Sequence, residues 1–556
     1  MLKRQLPGPV IVFFIYISWA LWLMLTGHPH EDAYILNIYA RNLAEGHGIS
    51  YFAGGPHAEG ATDFLWMLLL ALAEYIGLDA ATFAHILNGI GLMIITWVAS
   101  KLMRHELSHW GRFVGLILLI AVIATSQIVQ ASLSGFSAGF YCGAVALLFW
   151  LLFSQHSRYL AWIPVISIVV ALTRPDGVII GVTATLLGVF IACRHKQLNQ
   201  FMTISAVCFC IGASYFVWRV LYFEQWLPLP LIVKSADAQS LPGLIAHVDW
   251  ARRNFYLGVI AISAFLVLRQ RWRMLFASLP VGALLFALMF ATQSQNIADR
   301  FQAPATVVLI LWCALFLDAV FRRDLEPTLL RLPSANTITT VAVLVFMMFV
   351  INQSIKATIS RVTNLQAFQY INTFPYYLSP HARPDTRLAL TEAGRFAYWL
   401  PGEKYDLVGL NTADFATELA SPDAIAALRA DLIFVHIAGN ANFGAYCDQD
   451  FCELNEQQVW QSMTRDETLW TEIPDPVVRA PLAALSHYFD QPEGFHAYTV
   501  NYSNGYYHFY LLNRGGAITQ ESFESALALS FRTGCNRSYW QLRYGFSQHA
   551  GECRLE

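Results

Sequence analysis

Two adjacent carboxylates, Glu31 and Asp32, are the first candidates for chemistry in this sequence. They stand in the polar segment HPHEDAYILNIYARNLAEGHG, just after an apolar run that ends near residue 26. A carboxylate in such a place can accept a proton from an acceptor hydroxyl or hold a metal ion. The alternative is an acidic cap on a helix beginning at AYILNIYARNL, because acidic residues are common in first helical turns.

Charged residues also stand at the ends of later apolar runs. Arg174 and Asp176 interrupt ALTRPDGVII. Asp299 and Arg300 precede another run, and Lys234 closes WLPLPLIVK. Charged groups at such depth are functional candidates, although a salt bridge at the membrane edge is the alternative for the first two. Three cations beside several carboxylates suit a phosphate leaving group and an activated hydroxyl.

The elements that position these groups are membrane helices. Hydrophobic residues make up 56% of the chain and charged residues 13%, whereas soluble domains carry roughly a quarter charged residues. A soluble protein is therefore excluded. The net charge of −3 gives no electrostatic reason for a nucleic-acid partner. Apolar runs occur near residues 10–26, 64–78, 83–100, 113–130, 138–153, 159–173, 177–193, 201–222, 254–268, 274–292, 303–321 and 337–353.

The distribution of lysine and arginine indicates which runs cross the membrane. Run 64–78 contains Glu74 and is short for a span, so we interpret it as interfacial or re-entrant. The other eleven crossings then place the basic clusters on the cytoplasmic side. These clusters contain Lys3, Arg4, Lys101, Arg104, Arg112, Arg158, Arg194, Lys196, Arg269, Arg271, Arg273, Arg322, Arg323 and Arg331. The first run could also be a signal peptide, but it lacks a convincing cleavage site and we interpret it as a helix. The amino terminus is predicted inside and the carboxyl terminus outside.

Three longer segments then share the outer face: residues 28–63, residues 223–253 and the chain after about residue 353. We divide the protein into a membrane module, residues 1–355, and an extracytoplasmic domain, residues 356–556. In the second part, RLALTEAG, YDLVGL and DLIFVHIAG alternate with helix-like stretches near 395–400, 414–418 and 421–429, which predicts an α/β unit. Aromatic-rich segments around HAYTVNY and YYHFYLLN are typical of β-strands.

The cysteines agree with this division. Five lie in or at the ends of apolar runs and are expected to be packing residues: Cys142, Cys193, Cys208, Cys210 and Cys313. The other four, Cys447, Cys452, Cys535 and Cys553, form an even set in the external part, which favours disulfides. We favour pairing Cys447 with Cys452 and Cys535 with Cys553, while the other two pairings stay open. A zinc site at these cysteines is the less favoured alternative, because no histidine has ligand spacing beside them.

The first outer segment resembles the signature of bacterial C-type (GT-C) membrane glycosyltransferases that use polyprenyl-phosphate sugars, in the group of the mycobacterial terminal β-(1,2)-arabinofuranosyltransferase. The matching residues are Glu31, Asp32, Tyr39 to Gly48, Glu59, Gly60, Thr62 and Phe64 to Trp66. The resemblance continues through SGF near Ser134, LTRPDG, LPLPLIVK, DRFQAPA and TEAGRFAYWLPGEKYDLVGLN. The sequence departs from the family pattern at Glu31, where the family usually has aspartate, in SGFSAGF, which lacks a glutamate, and at Leu229 and Pro230, which replace Asn-Thr.

The resemblance implies transfer of a sugar, with inversion, from a polyprenyl phosphate to a hydroxyl outside the cytoplasm. A pentofuranose such as arabinofuranose is the first choice of sugar, and a hexose or aminoarabinose the second. The acceptor would be an envelope polysaccharide, lipopolysaccharide or a surface protein such as pilin. A lipid-linked sugar flippase or a secondary transporter is the alternative function, and a non-catalytic envelope scaffold is a further one. The expected location is the bacterial inner membrane, among its lipids.

The resemblance also assigns roles to residues. Asp32 would be the general base, and Glu31, the second catalytic residue, would orient the acceptor or assist. Lys234, Arg174 and Arg300 would bind the donor phosphate. The resemblance assigns no definite cofactor, and a divalent cation with unknown ligands stays open. Sugar or acceptor binding is assigned to Arg41, Asn42, His57, Glu59, Thr62, Asp176 and Asp299.

Overall fold

The computed structural model describes residues 7–103, 109–235, 242–291, 293, 296–322, 335–367, 369–438, 443–462, 473, 475–500, 506–532, 534–545 and 553. Several residues of the predicted basic clusters lie outside these ranges: Lys3, Arg4, Arg104, Arg323 and Arg331. The side chains of Arg112, Lys234 and Arg322 also fall outside the description.

The first two thirds of the chain fold into a helical module. Its helices are α1 (Pro7–Thr26), α2 (Glu31–Ala44), α3 (Phe64–Tyr75), α4 (Ala80–Leu102), α5 (His109–Ala124), α6 (Gln127–Leu133), α7 (Ala138–Ser154), α8 (Trp162–Thr173), α9 (Gly177–Arg194), α10 (Leu198–Phe223), α11 (Leu229–Ser235), α12 (Leu244–Arg253), α13 (Phe255–Val267), α14 (Arg271–Leu288), α15 (Ala303–Arg322) and α16 (Ala335–Gln366).

All twelve predicted apolar runs are helical, which confirms a polytopic membrane protein. Among the described residues, six helices are long and apolar enough to cross a membrane, and the pair formed by Val114–Ala124 and Gln127–Leu133, bent by 44°, can be counted as a seventh. Four shorter apolar helices, Phe64–Tyr75, Ala138–Ser154, Ser157–Thr173 and Phe255–Leu266, accompany them. α15 lies at the centre of the bundle, since 94% of its apolar window is buried.

Helix α3 is a short apolar helix. It has 12 residues, roughly 18 Å at 1.5 Å per residue, which is short of the roughly 30 Å apolar thickness of a bilayer. Near its end, Glu74 accepts from Arg543 of the carboxyl-terminal domain at 3.1 Å. Asp79, just before α4, accepts from Tyr539 of the same domain at 2.7 Å. The run predicted not to span is therefore a short helix whose end, together with the residue before α4, contacts the carboxyl-terminal domain.

The chain after α16 forms one mixed sheet with helices on both sides, which we call the tail domain. Its strands are β1 (Arg387–Leu390), β2 (Glu403–Asp406), β3 (Leu432–Ala438), β4 (Phe451–Leu454), β5 (Phe495–Val500) and β6 (Tyr506–Asn513), in the order β2-β1-β3-β6-β5-β4. β2, β1 and β3 are parallel, and the other neighbours are antiparallel. Its helices are α17 (Phe374–Leu378), α18 (Arg395–Trp399), α19 (Ala413–Thr417), α20 (Pro422–Leu428), α21 (Glu456–Ser462), α22 (Pro476–Asp490), α23 (Gln520–Phe531) and α24 (Tyr539–Tyr544).

The predicted strands and helices of the tail domain agree with these elements, and the structure adds two details. The α/β unit and the aromatic strands join in one sheet, because β3 pairs with β6 over seven residue pairs. The division at residue 355 falls inside α16, which continues to Gln366. Both favoured disulfides are present, Cys447–Cys452 and Cys535–Cys553.

Helix α2 connects the two parts, although it belongs to the first outer segment. Its buried residues Tyr34, Ile38 and Tyr39 share a hydrophobic cluster with Phe434 and Tyr510 of the sheet. The apolar spacing of AYILNIYARNL fits one helical face. Burying this face against the tail sheet fixes the position of the acidic residues at the start of α2.

Candidate active site

A cavity of about 1180 Å³ lies between the helical module and the tail domain. Every segment of the sequence resemblance contributes to its lining. The contributions are Glu31, Asp32, Thr62 and Asp63 from the first outer segment, Phe136 from SGF, Arg174, Pro175 and Asp176 from LTRPDG, Pro230 and Leu231 from LPLPLIVK, Arg300 and Phe301 from DRFQAPA, and Thr391 to Ala393, Arg395, Asp406, Val408, Leu410 and Asn411 from the last motif.

The described basic clusters lie at the opposite ends of the helices. α9 begins directly after the cavity residues Arg174 to Asp176 and ends at Arg194. α14 begins at Arg271 and ends at Leu288, which lines the cavity. The cavity is thus at the end of the bundle that the lysine and arginine pattern predicts to be external.

Glu31 is buried at the contact between α2 and the tail domain. Its Oε1 accepts from the backbone N–H of Gly394 at 2.5 Å and of Arg395 at 2.9 Å. The Nε of Arg395 lies 3.4 Å from Glu31 Oε2. A Cβ at position 394 would lie 2.2 Å from the carbonyl oxygen of Glu31, so glycine is required there. Glu31 therefore holds the start of α2 against the TEAGR segment. Asp32 does not share this positioning role.

Burial changes the acidity of two carboxyls in this cavity. It raises the pKa of Glu31 to about 8, and nearby Glu392 adds to the rise while Arg395 opposes it. It also raises the pKa of Glu392 to about 7, against the attraction of Arg395. Glu31 accordingly holds its proton near neutral pH, which makes it a poor proton acceptor there.

Asp32 contacts an arginine that also lines the cavity. Its Oδ2 accepts from Arg300 Nη2 at 3.2 Å, and its side chain is 17% exposed. The Arg300 guanidinium lies 4.1 Å over the ring of Phe136, a stacking geometry that suits arginine. The aromatic ring fixes the guanidinium beside the carboxylate, so both can contact a substrate that enters the cavity.

Arg361 is a cavity residue that the sequence analysis missed. It lies on α16, after the apolar part of that helix, and its Nε donates to Ser134 Oγ at 2.8 Å. Its buried Nη2 has no hydrogen-bond partner among the described residues. A buried guanidinium N–H without a partner costs free energy, and an anionic ligand would relieve that cost. No quoted motif contains Arg361, so only the fold reveals it.

Arg174 is held by carboxylates. Its Nε and Nη2 donate to Asp176 at 2.9 and 3.2 Å, and its Nη1 lies 4.0 Å from Asp63. Asp63 in turn accepts from Ser137 Oγ at 2.6 Å. The salt bridge between Arg174 and Asp176 is therefore present, and both residues line the cavity.

Five residues assigned to sugar or acceptor binding do not line the cavity that the described residues enclose. Arg41 donates to the carbonyl of Tyr398, Asn42 to that of Ser50, and His57 stacks on Tyr222. Glu59 pairs with Arg219 at 2.6 Å, and Asp299 pairs with Arg253. Thr62 and Asp176 do line it. Lys234 lies in α11, and Leu231 of the same helix lines the cavity. The side chain of Lys234 is outside the described part of the chain.

Three cavity residues of the tail domain could hold a metal ion: Glu392, His436 and His508. Burial lowers the pKa of His436 to about 4 and that of His508 well below its ordinary value. Both imidazoles are therefore neutral at pH 7. Glu392 stands in the quoted TEAG motif, but the histidines lie in strands that carried no chemical signal in the sequence.

No family model matches the chain, and no curated protein matches it. Among solved structures, the crystal structure of ArnT from Cupriavidus metallidurans in the apo state is similar with a TM-score of 0.47 and 10% identity, over 80% of this chain and 96% of that chain. The apo oligosaccharyltransferase of Archaeoglobus fulgidus has a TM-score of 0.43 and 11% identity, over 97% of this chain and 78% of that chain. At these TM-scores neither likeness carries an argument, and the cavity itself is the basis for function.

Proposed function

We propose that this membrane protein is a glycosyltransferase with a C-type fold. It moves a sugar from a polyprenyl-phosphate carrier to a hydroxyl of an envelope glycan or surface protein on the extracytoplasmic face, with inversion. A pentofuranose such as arabinofuranose is the proposed sugar. The observation that carries the proposal is the convergence of all six resembling segments on one cavity that holds carboxylates and arginines.

Asp32 is proposed as the general base. The acceptor hydroxyl attacks the anomeric carbon, Asp32 takes its proton, and the bond from that carbon to the phosphate oxygen breaks, with the electron pair leaving on the phosphate. Glu31 is buried and bonded to two backbone N–H groups, which leaves Asp32 as the carboxylate open to an acceptor. One displacement from the opposite face inverts the anomeric carbon.

Arg300 and Arg361 are proposed to receive the departing phosphate. Both line the cavity, and buried arginines in a water-poor site bind phosphate through strong charge-assisted hydrogen bonds. Arg174 donates both Nε and Nη2 to Asp176, whereas the buried Nε of Arg300 has no hydrogen-bond partner among the described residues, so Arg174 contributes mainly to the local field. The assigned role of Lys234 stays a prediction.

The lining also suits a lipid-linked donor. Leu288, Phe290, Ala291 and Ile297 form an apolar side of the cavity at the ends of membrane helices. The tail domain contributes polar side chains to the lining, among them Thr391, Glu392 and Asn411, which a polar acceptor can contact. A donor whose isoprenoid stays in the bilayer can thus present its phosphate to the arginines.

The decisive experiment compares Asp32→Asn with the parent, as purified protein in nanodiscs supplied with a polyprenyl-phosphate sugar. Asparagine keeps the size of aspartate but accepts no proton at neutral pH, so we expect transfer to fall by roughly 100-fold or more while the unfolding temperature is kept. Asp385→Asn, at a side chain 75% exposed, is the matched control and should transfer normally. Near-normal transfer by Asp32→Asn would remove Asp32 as the base.

A second experiment tests the phosphate site. Arg361→Gln should raise the KM for the lipid donor by roughly 10-fold to 100-fold, since a hydrogen bond to a charged group contributes about 1.5–3 kcal/mol. Arg383→Gln, at a side chain 65% exposed, is the control. An unchanged KM in Arg361→Gln would place the phosphate elsewhere.

Mass spectrometry of the acceptor from parent and deletion cells identifies the sugar. Flipping of the lipid donor without sugar transfer would instead support the transporter alternative.

A further inference from the structure

Two histidines of the tail sheet face each other on neighbouring strands. His436 on β3 and His508 on β6 are direct partners in the antiparallel register, so their side chains project from the same face of the sheet. His436 Nδ1 lies 2.9 Å from His508 Nε2. Glu392 Oε2, in the segment after β1, lies 3.8 Å from the same Nδ1. Each residue offers one ligand atom, and these atoms lie within 4.8 Å of one another.

This spacing is close to that of a bound ion. Nitrogen and oxygen ligands at roughly 2.0–2.2 Å from one zinc ion lie roughly 3–4 Å apart. The two imidazole nitrogens lie 2.9 Å apart, and the three ligand atoms all lie within 4.8 Å of one another. Glu392 is held near the histidines because the backbone N–H of His436 donates to Thr391 Oγ1 at 2.7 Å.

The second ring nitrogen of His508 has a partner that orients it. Its Nδ1 lies 2.6 Å from Tyr370 Oη, which lies 2.7 Å from Tyr510 Oη. When Nδ1–H donates to Tyr370, Nε2 presents its lone pair toward His436 and Glu392. Metal-binding histidines use their second N–H in this way, which fixes the tautomer and the ring orientation.

The cluster also has access to ligands. Glu392, His436 and His508 all line the cavity that contains Asp32. Two imidazoles and one carboxylate form the donor set of zinc sites that keep a further position open. A structural site would instead be closed by a fourth protein ligand.

We propose that Glu392, His436 and His508 bind one divalent transition-metal ion, with Zn²⁺ the best match to their donors, and leave a coordination position open toward the cavity. An oxygen of the sugar or of the acceptor would occupy that position. This last assignment rests on the proposed function, whereas the metal site itself does not.

The test uses full-length protein purified in detergent with an affinity tag that contains no histidine. The protein is stripped with a chelator, titrated with ZnCl₂ by calorimetry without any sugar, and analysed for retained metal after desalting. Glu392→Gln and His436→Gln are the test variants. His496→Gln is the matched control, because His496 also contacts a glutamate, Glu453, at 2.6 Å, but outside the cavity lining.

We expect about one equivalent of zinc in the parent and in His496→Gln, with affinity lowered at least roughly 10-fold in both test variants. Zinc should raise the unfolding temperature of the parent, since a ligand that binds only the folded state stabilises it. Absence of zinc binding by the parent, or equal binding by all variants, would overturn the site and show only a hydrogen bond between the histidines. Either result leaves the Asp32→Asn test untouched, because no sugar transfer is measured here.

Discussion

The buried ion pair of Glu59 and Arg219 allows a test of whether Glu59 stabilises the fold or contacts the substrate. The resemblance assigns Glu59 to sugar or acceptor binding. In the structure, Glu59 Oε2 lies 2.6 Å from Arg219 Nε, and the two side chains are only 6% and 4% exposed. Arg219 Nη1 continues to the carbonyl of Trp226 at 2.9 Å. We therefore expect Glu59 to connect the first outer segment to α10 rather than to contact substrate.

The perturbation is Glu59→Gln, which keeps the shape and removes the charge. It leaves the Arg219 guanidinium buried without a counter-charge, and removing one partner of a buried pair costs about 3–5 kcal/mol. The double variant Glu59→Gln/Arg219→Met should recover a large part of this loss, because replacing both charges by groups of similar volume is often nearly neutral. Glu403→Gln is the control, since its pair with Arg387 is 35% and 42% exposed and should contribute about 0–1 kcal/mol.

The assay is thermal unfolding followed by tryptophan fluorescence, together with transfer activity per folded molecule. Glu59→Gln should lower the unfolding midpoint by several degrees and keep kcat within about twofold, because a group that does not contact the transition state leaves kcat unchanged. The double variant should unfold at a higher temperature than the single one. An unchanged midpoint with abolished transfer would refute this reasoning and return Glu59 to the substrate.

Four further outcomes are expected. Cys535→Ser opens a disulfide with a sequence separation of 18 and should cost roughly 3 kcal/mol, seen as a lower unfolding midpoint that reductant reproduces in the parent. Burial lowers the pKa of Lys404 from its ordinary value of 10.5 to about 7. The folded protein then binds this proton less tightly than the unfolded chain, so the free energy of unfolding rises with pH between about 7 and 10.5. Lys404→Met should therefore raise the unfolding midpoint more at pH 6 than at pH 9. Gly394→Ala should reduce transfer by displacing Glu31, whereas Gly494→Ala, with no atom within 4 Å of its new Cβ, should transfer like the parent. A reporter fused after residue 556 should behave as exported, and cytoplasmic behaviour would reverse the orientation.

The lengths and charges of the apolar runs allowed the helical module to be predicted, because a helix in a bilayer must satisfy its own backbone and exclude charge locally. The run 64–78 is an example: its short length and Glu74 predict a non-spanning helix, and the run forms a helix of 12 residues whose Glu74 accepts a hydrogen bond from the tail domain. Local patterns also predicted the strands and helices near 387–438, since alternating apolar residues and turn residues influence structure over a few positions.

Contacts between distant segments depended on the tertiary structure. Glu31 and Gly394 are joined by a hydrogen bond, yet nothing local to either segment encodes the other. His436 and His508 became neighbours only through the register of β3 with β6. Arg361 entered the cavity because α16 extends past its apolar part.

The sequence by itself determined which residue types were available and on which side of the membrane they should lie. Only the tertiary structure decided their partners. It left Asp32 open to the cavity and paired Glu59 with Arg219. The physical reason is that helix and strand formation depend on neighbours within a few residues, whereas burial and charge pairing depend on elements brought together by packing. An acidic residue therefore reveals its proton affinity only when the groups that bury it and bond to it are known.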